Sequence, residues 1–225
     1  FRVYTAVTHV GPDAASCRVV ARSLTLFHAG RVYDHIEEFG ELVIFEPIHD
    51  RFLLIRDRKA TAVSFEALRP SLDVDTRSAE HTSDGRLRAQ LQFQLRPSFA
   101  ARFDPGTRRL RLEAAELRYD VRGAAPPSET VLAQYLAYAD WTARLNSVLR
   151  SQGTFPAPRE SLNRSLREHD LLPVEVTLQS RQPSDLHLRA EHEFRWTLQA
   201  IDKDQIHQWE RLRESNRLQW VSFPE

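Results

Sequence analysis

The sequence predicts an α+β protein built on a curved antiparallel sheet, a half-barrel of about eight to ten strands with helices on one face. Three observations carry that expectation. Leu186–Ala200 (LHLRAEHEFRWTLQA) alternates apolar and polar residues over the thirteen positions from Leu186 to Leu198. A strand points successive side chains to opposite faces, so this stretch has one apolar face and one charged face. The first 65 residues are short apolar runs separated by brief turn sequences, the pattern of a hairpin meander. Ser128–Arg150 instead repeats its apolar residues at helical spacing.

In order, FRVYTAVTHV reads as a first strand closed by Gly11-Pro12-Asp13. Ser16–Ile36 reads as one long strand or two, bent near Ala29-Gly30. Glu37–Gly40 turns, Glu41–Ile48 is a strand, His49-Asp50 turns, and Arg51–Arg56 is a strand. Asp57–Lys59 turns into Ala60–Phe65. Glu66–Asp84 breaks the rhythm and reads as a partly helical connection interrupted by Pro70. Arg86–Leu95 alternates again, with Leu87, Ala89, Leu91, Phe93 and Leu95 on one side, and predicts a strand.

Phe99–Phe103 and Arg109–Glu113 flank Asp104-Pro105-Gly106-Thr107, a hairpin whose positive dihedral is expected at Gly106. Leu117–Val121 is a strand and Gly123–Pro127 a linker. Ser128 is a fitting N-cap for the long helix, whose inner side should carry Val131, Tyr135, Tyr138, Leu145 and Leu149, widened by Leu132, Leu136, Ala139 and Val148. A shorter helix follows at Arg159–Glu168, with Leu162 and Leu166 inward. Pro173–Leu178 begins the return to strand, and Gln182–Asp185 turns into the strand at 186. Asp202 should cap a last helix, with Gln205 three positions on and Ile206, Trp209 and Leu212 inward. Strands on both sides of 123–127 share one pattern, which predicts a single domain over 1–225.

A chain of 225 residues can bury a large core without disulfides or metal. Net charge is zero, with 31 basic and 31 acidic residues interleaved, so no basic stripe marks a nucleic-acid surface. The 31 basic residues are 29 Arg and only Lys59 and Lys203, a bias that reads first as a GC-rich genome and second as a need for guanidinium forks. Cys17 cannot form an internal disulfide and is expected as a small core residue. No apolar run reaches eighteen residues, so no membrane span is expected. The chain has no Met and begins in strand-like sequence, which reads as trimming from a longer product.

The seven glycines are far apart, and neither a phosphate-cradling loop nor a dinucleotide fingerprint nor GxSxG can be written from them. No cofactor is expected, and no catalytic residue stands out. His187 and His192 lie five apart on one strand and face opposite sides, and no HExxH or cysteine pair exists, so no metal site is expected. Asp73, Asp75, Glu80 and His81 form an acidic loop cluster that reads as solvated. His192 is the one polar member of its apolar face: either a hydrogen-bonded core histidine or a polar anchor at the base of an apolar pocket. Phe93, Leu95, Phe194 and Trp196 are the candidate lining of that pocket.

GRVYDHIEEFGELVIFEPIHDRFLLIRD at 30–57, with the alternating stretches 86–95 and 186–198, resembles the outer-membrane lipoprotein carrier (LolA/LolB-like) superfamily in pattern and topology. No functional residue carries over. The resemblance implies an incomplete antiparallel barrel covered by helices, in a bacterial protein exported to the periplasm that shelters an acyl chain or similar apolar ligand.

Three functional readings follow. The leading one is a non-catalytic, exported module holding a hydrophobic or lipid-like ligand between curved sheet and helices, with His192, Phe194, Trp196, Phe93 and Leu95 around it. The second is an interaction domain with a filled core that recognises a protein partner. The third is a small cofactor-independent enzyme on the same half-barrel, with His192 or the 73–81 loop converging on a pocket.

Overall fold

The computed structural model describes residues 1–69, 83–149, 155–180 and 186–223. The protein is α+β with open, mainly antiparallel strand order, as its sequence predicts. It forms two compact units, Phe1–Ala67 with Leu188–Glu225, and Leu68–His187.

The first unit contains β1 (Arg2–His9), β2 (Arg18–His28), β3 (Arg31–Ile36), β4 (Glu41–Glu46), β5 (Arg51–Arg56), β6 (Lys59–Ser64), β11 (Leu186–Arg195, from Leu188 onward) and β12 (Gln219–Trp220). Their order is β12-β6-β5-β4-β3-β2-β1-β11. All neighbours pair antiparallel except β12, which runs parallel to β6. The Ala29-Gly30 bend is a tight hairpin turn with both residues at positive φ, 48 and 75. Asp57 and Arg58 repeat that geometry between β5 and β6. Two-residue loops of this hand match the twist of the strands they join.

Strands β4 and β5 read LVIF and FLLI and are apolar on both faces. On one face Leu26, Tyr33, Ile44 and Leu53 stand in cross-strand register. There they pack with Ile206 and Trp209 of a helix at Ala200–Glu214. The other face carries Phe27, Val32, Phe45, Phe52 and Val63, all buried, with the Phe45 and Phe52 rings 5.1 Å apart. The helix begins three residues earlier than predicted. Gln199 is its N-cap, and Asp202 is the third helical residue, accepting from the Gln199 N–H at 2.8 Å in a reciprocal capping box. Asp202 is buried because it also receives Arg2 Nη1 at 2.9 Å.

A buried ionic cluster ties this helix to the sheet. Glu46 is fully buried and accepts from Arg31 Nε at 3.0 Å, Arg51 Nε at 2.8 Å and Arg213 Nη1 at 2.7 Å. Glu210 takes Arg213 Nη2 at 2.7 Å and the Tyr33 hydroxyl at 2.6 Å. Cys17, expected inside, is exposed: it precedes β2 in a loop where its Sγ lies 3.5 Å from the Asp13 carbonyl oxygen.

The second unit contains α1 (Gly85–Leu95), β7 (Ala100–Asp104), β8 (Arg109–Glu113), β9 (Leu117–Ala124), α2 (Glu129–Leu149), α3 (Pro156–Glu168) and β10 (Leu172–Ser180), and the last helix of the chain is α4 (Ala200–Glu214) of the first unit. The strands order β10-β9-β8-β7, all antiparallel. Phe103, Leu110, Val121 and Val176 form one row in register, and Arg102, Arg111, Asp120 and Thr177 the adjacent row on the opposite face. On that polar face Asp120 accepts from Arg109 Nε at 2.7 Å and Arg111 Nη2 at 3.0 Å.

Four expectations change here. Residues 86–95 are helix, not strand: Arg, Leu, Ala and Gln are strong helix formers, and the stretch has no β-branched residue to favour a pleat. The positive φ of the 104–107 hairpin falls at Arg108 (51) and not at Gly106, while Asp104 Oδ1 accepts the Gly106 N–H at 2.9 Å. Gly123 lies inside β9 instead of a linker, and Leu171 comes so close that a Cβ there would meet its Cδ2 at 2.9 Å. Val148 and Leu149, expected inward, are exposed at the end of α2.

The rest of α2 behaves as predicted. Ser128 Oγ accepts the Val131 N–H at 3.3 Å, and Leu132, Tyr135, Leu136, Tyr138 and Leu145 are buried. Leu162 and Leu166 of α3 are fully buried, beside Asn163, whose Nδ2 donates to Asp140 Oδ1 at 2.7 Å. The cluster Asp73, Asp75, Glu80 and His81, and the turn at 182–185, lie outside the described residues.

Candidate functional site

Three helices of the second unit converge on one cleft. α1 ends at Leu95, and Pro97, two positions on, cannot extend it. α3 starts with Pro156, whose missing N–H is no loss at a first helical position. Its N-cap, Phe155, has no side-chain oxygen to cap the helix, so the positive end of the helix dipole carries no side-chain cap. Ala157, Glu160, Ser161 and Arg164 recur at spacings of three and four, which puts them on one side of α3.

With Arg69, Gln94, Arg96 and Arg144 they line a cleft of about 650 Å³. Small-molecule sites occupy roughly 300–1,000 Å³. Leu95, Pro97, Phe155, Pro156 and Ala157 supply its apolar wall.

The charges around this cleft are unequal: four arginines and one glutamate. Arg144 Nε donates to Glu160 Oε1 at 2.6 Å, and its guanidinium lies 4.8 Å from the Trp141 ring centroid. That pair is neutral and held in place by the cation–π contact. Arg96 and Arg164 have no acidic partner among the described residues. Guanidinium forks bind carboxylate and phosphate oxygens in pairs, so the cleft can hold an anionic group beside an apolar wall.

The five residues singled out from sequence divide between the units. Leu95 lines the cleft, while Phe93, on the same helix, turns its ring edge to Phe99 at 5.4 Å. His192, Phe194 and Trp196 belong to the first unit. His192 Nδ1 is 2.9 Å from Thr5 Oγ1, across the β1–β11 pair. The rings of Phe194 and Trp196 stack at 5.6 Å, and Trp196, just beyond β11, is 46% exposed. Among the described residues no group of three or more His, Cys, Asp or Glu side chains could hold a metal ion. No described helix is long and apolar enough to cross a membrane.

The arginines of the cleft carried no sequence signal, being scattered over positions 69 to 164. Only the i, i+4 relation of Glu160 to Arg164 and the general excess of Arg over Lys pointed their way. No protein-family model matches this chain, and no curated protein matches it in sequence.

Proposed function

We propose that this chain is a non-catalytic binding module that holds a lipid-like amphiphile, with the ligand's acidic head at Arg96 and Arg164 and its hydrocarbon against Leu95, Pro97, Phe155 and Pro156. The observation that carries this reading is the unequal charge of the cleft: Arg96 and Arg164 have no acidic partner among the described residues and stand beside an apolar wall, at a volume suited to a small molecule. It relocates the ligand expected from the sequence to one cleft of the second unit and leaves Phe194 and Trp196 outside it. The resemblance to the lipoprotein carriers supports the same class of ligand, and export to the periplasm belongs to the same proposal.

The test is native mass spectrometry of the purified protein with organic extraction of anything released, followed by calorimetric titration with tetradecanoate. The expected result is a co-purifying acidic amphiphile, or saturable binding of tetradecanoate that Arg164→Glu weakens about tenfold or more, the effect of reversing a charge at a contact worth ~1.4 kcal/mol. Tetradecanoate that fails to bind, or that binds Arg164→Glu and Arg96→Glu as tightly as the unaltered protein, would refute the proposal.

A further inference from the structure

Gln94 lines the cleft and is only 8% exposed, and its Oε1 is buried without a hydrogen-bond partner. Native proteins pair nearly all such atoms, and an unpaired buried carbonyl oxygen is destabilising unless something meets it. It stands two residues before Arg96, on the last turn of α1. The arginines of the site can only donate hydrogen bonds, whereas the Gln94 oxygen can only accept. A simple fatty-acid anion answers the arginines and offers nothing to Gln94.

We propose that the ligand is an acidic amphiphile carrying a neutral N–H or O–H donor within a few bonds of its acid group, and that Gln94 is the residue that selects it. This rests on the proposed function above. The donor meets the unpartnered Gln94 oxygen, the acid meets Arg96 and Arg164, and the chain lies along the apolar wall. Selection works through what the right ligand gains: a head carrying the donor relieves the unmet Gln94 oxygen, and a head lacking it leaves that oxygen unmet.

The test compares three probes on the full chain by calorimetry: tetradecanoate, N-dodecanoylglycine, which carries an amide N–H, and β-hydroxytetradecanoate, which carries a hydroxyl. At least one donor-bearing probe should bind about fivefold or more tighter than tetradecanoate, the scale of one hydrogen bond to a buried acceptor. The two arms then distinguish amide from hydroxyl. Gln94→Met keeps the length of the side chain and removes the acceptor; it should bring the probes within about twofold of each other. Equal affinities in the unaltered protein, or a preference that survives Gln94→Met, would overturn the inference and leave the proposed function standing. Failure of all three probes to bind would overturn both. The comparison in the unaltered protein does not depend on how the variant folds.

Discussion

Glu46 is where a single substitution should do most damage to the first unit. Its carboxylate is fully buried and receives three guanidinium groups at 2.7 to 3.0 Å. Glu46→Gln keeps the shape and removes the charge, so Arg31 and Arg213 keep Glu210 as an acidic partner while Arg51 loses the carboxylate it pairs with. Removing one partner of a buried ion pair costs ~3–5 kcal/mol, because the other is left buried and unmatched. Here Arg213, Arg31 and Arg51 retain 17%, 30% and 40% of their side-chain exposure, so water recovers part of that cost. The remaining amide oxygen also still accepts one hydrogen bond. We therefore expect a loss of about 2–3 kcal/mol.

Urea denaturation followed by near-ultraviolet circular dichroism measures it. With a slope of about 2 kcal/mol per molar urea, the midpoint should fall by about 1–1.5 M at unchanged slope. Arg213→Met alone should cost about 1–2 kcal/mol. The double variant should cost less than the sum by about 1 kcal/mol or more, because the two groups share one interaction. A midpoint shift under about 0.3 M for Glu46→Gln, or full additivity with Arg213→Met, would refute the view that this cluster fastens α4 to the sheet.

Alkaline pH should loosen the same region. Burial, and then the hydrogen bond to Glu210, push the Tyr33 hydroxyl up to about 12, while an unfolded tyrosine ionises near 10. The neutral form is thus favoured in the fold: its contribution is whole below pH 10 and is lost as the pH rises through 12. The ceiling is about 3 kcal/mol, and solvent at the hydroxyl reduces it to about 1–2. Burial raises Tyr119 to about 12 as well. Tyr33→Phe should therefore roughly halve the slope of stability against pH between 10 and 12, and an unchanged slope would contradict the assignment. Gly123→Ala should destabilise by about 1–3 kcal/mol in thermal unfolding, since the new methyl meets buried Leu171 at 2.9 Å; a neutral result would mean that Leu171 moves aside freely. Cys17, exposed in its loop, should react fully with a thiol reagent in the folded protein, and protection until denaturant is added would place it inside after all.

Most of the fold was readable because its strands and turns use residues with one strong local preference. VYDHI, LVIF and FLLI are short, mostly apolar and rich in residues that suit a pleated sheet, and they fall between brief turn segments. The stretch at 86–95 failed because period two and period 3.6 compete when all residues but Phe93 are good helix formers. Its alternation of Leu, Ala and Phe with Arg and Gln fits a strand, but without β-branched side chains the helix wins. That one error also placed Phe93 and Leu95 on a sheet, when their helix in fact ends at the cleft. The prediction at Gly106 failed for a related reason: the turn's left-handed residue was assigned to the obvious glycine, whereas Asp104 fixes the turn through the Gly106 and Thr107 N–H groups and Arg108 takes the positive φ.

The cleft was illegible because arginine does two jobs here, and sequence does not separate them. Around Glu46 and Asp120 the guanidinium groups converge on carboxylates as ion pairs, which makes them structural. At 96 and 164 the same residue type faces a cleft with no acid to meet it among the described residues. What differs is the local supply of carboxylates, and that depends on which distant segments the fold brings together. In a chain of zero net charge, cations left unmatched in one place imply acids left unmatched elsewhere. The positive cleft is therefore a product of placement and not of composition.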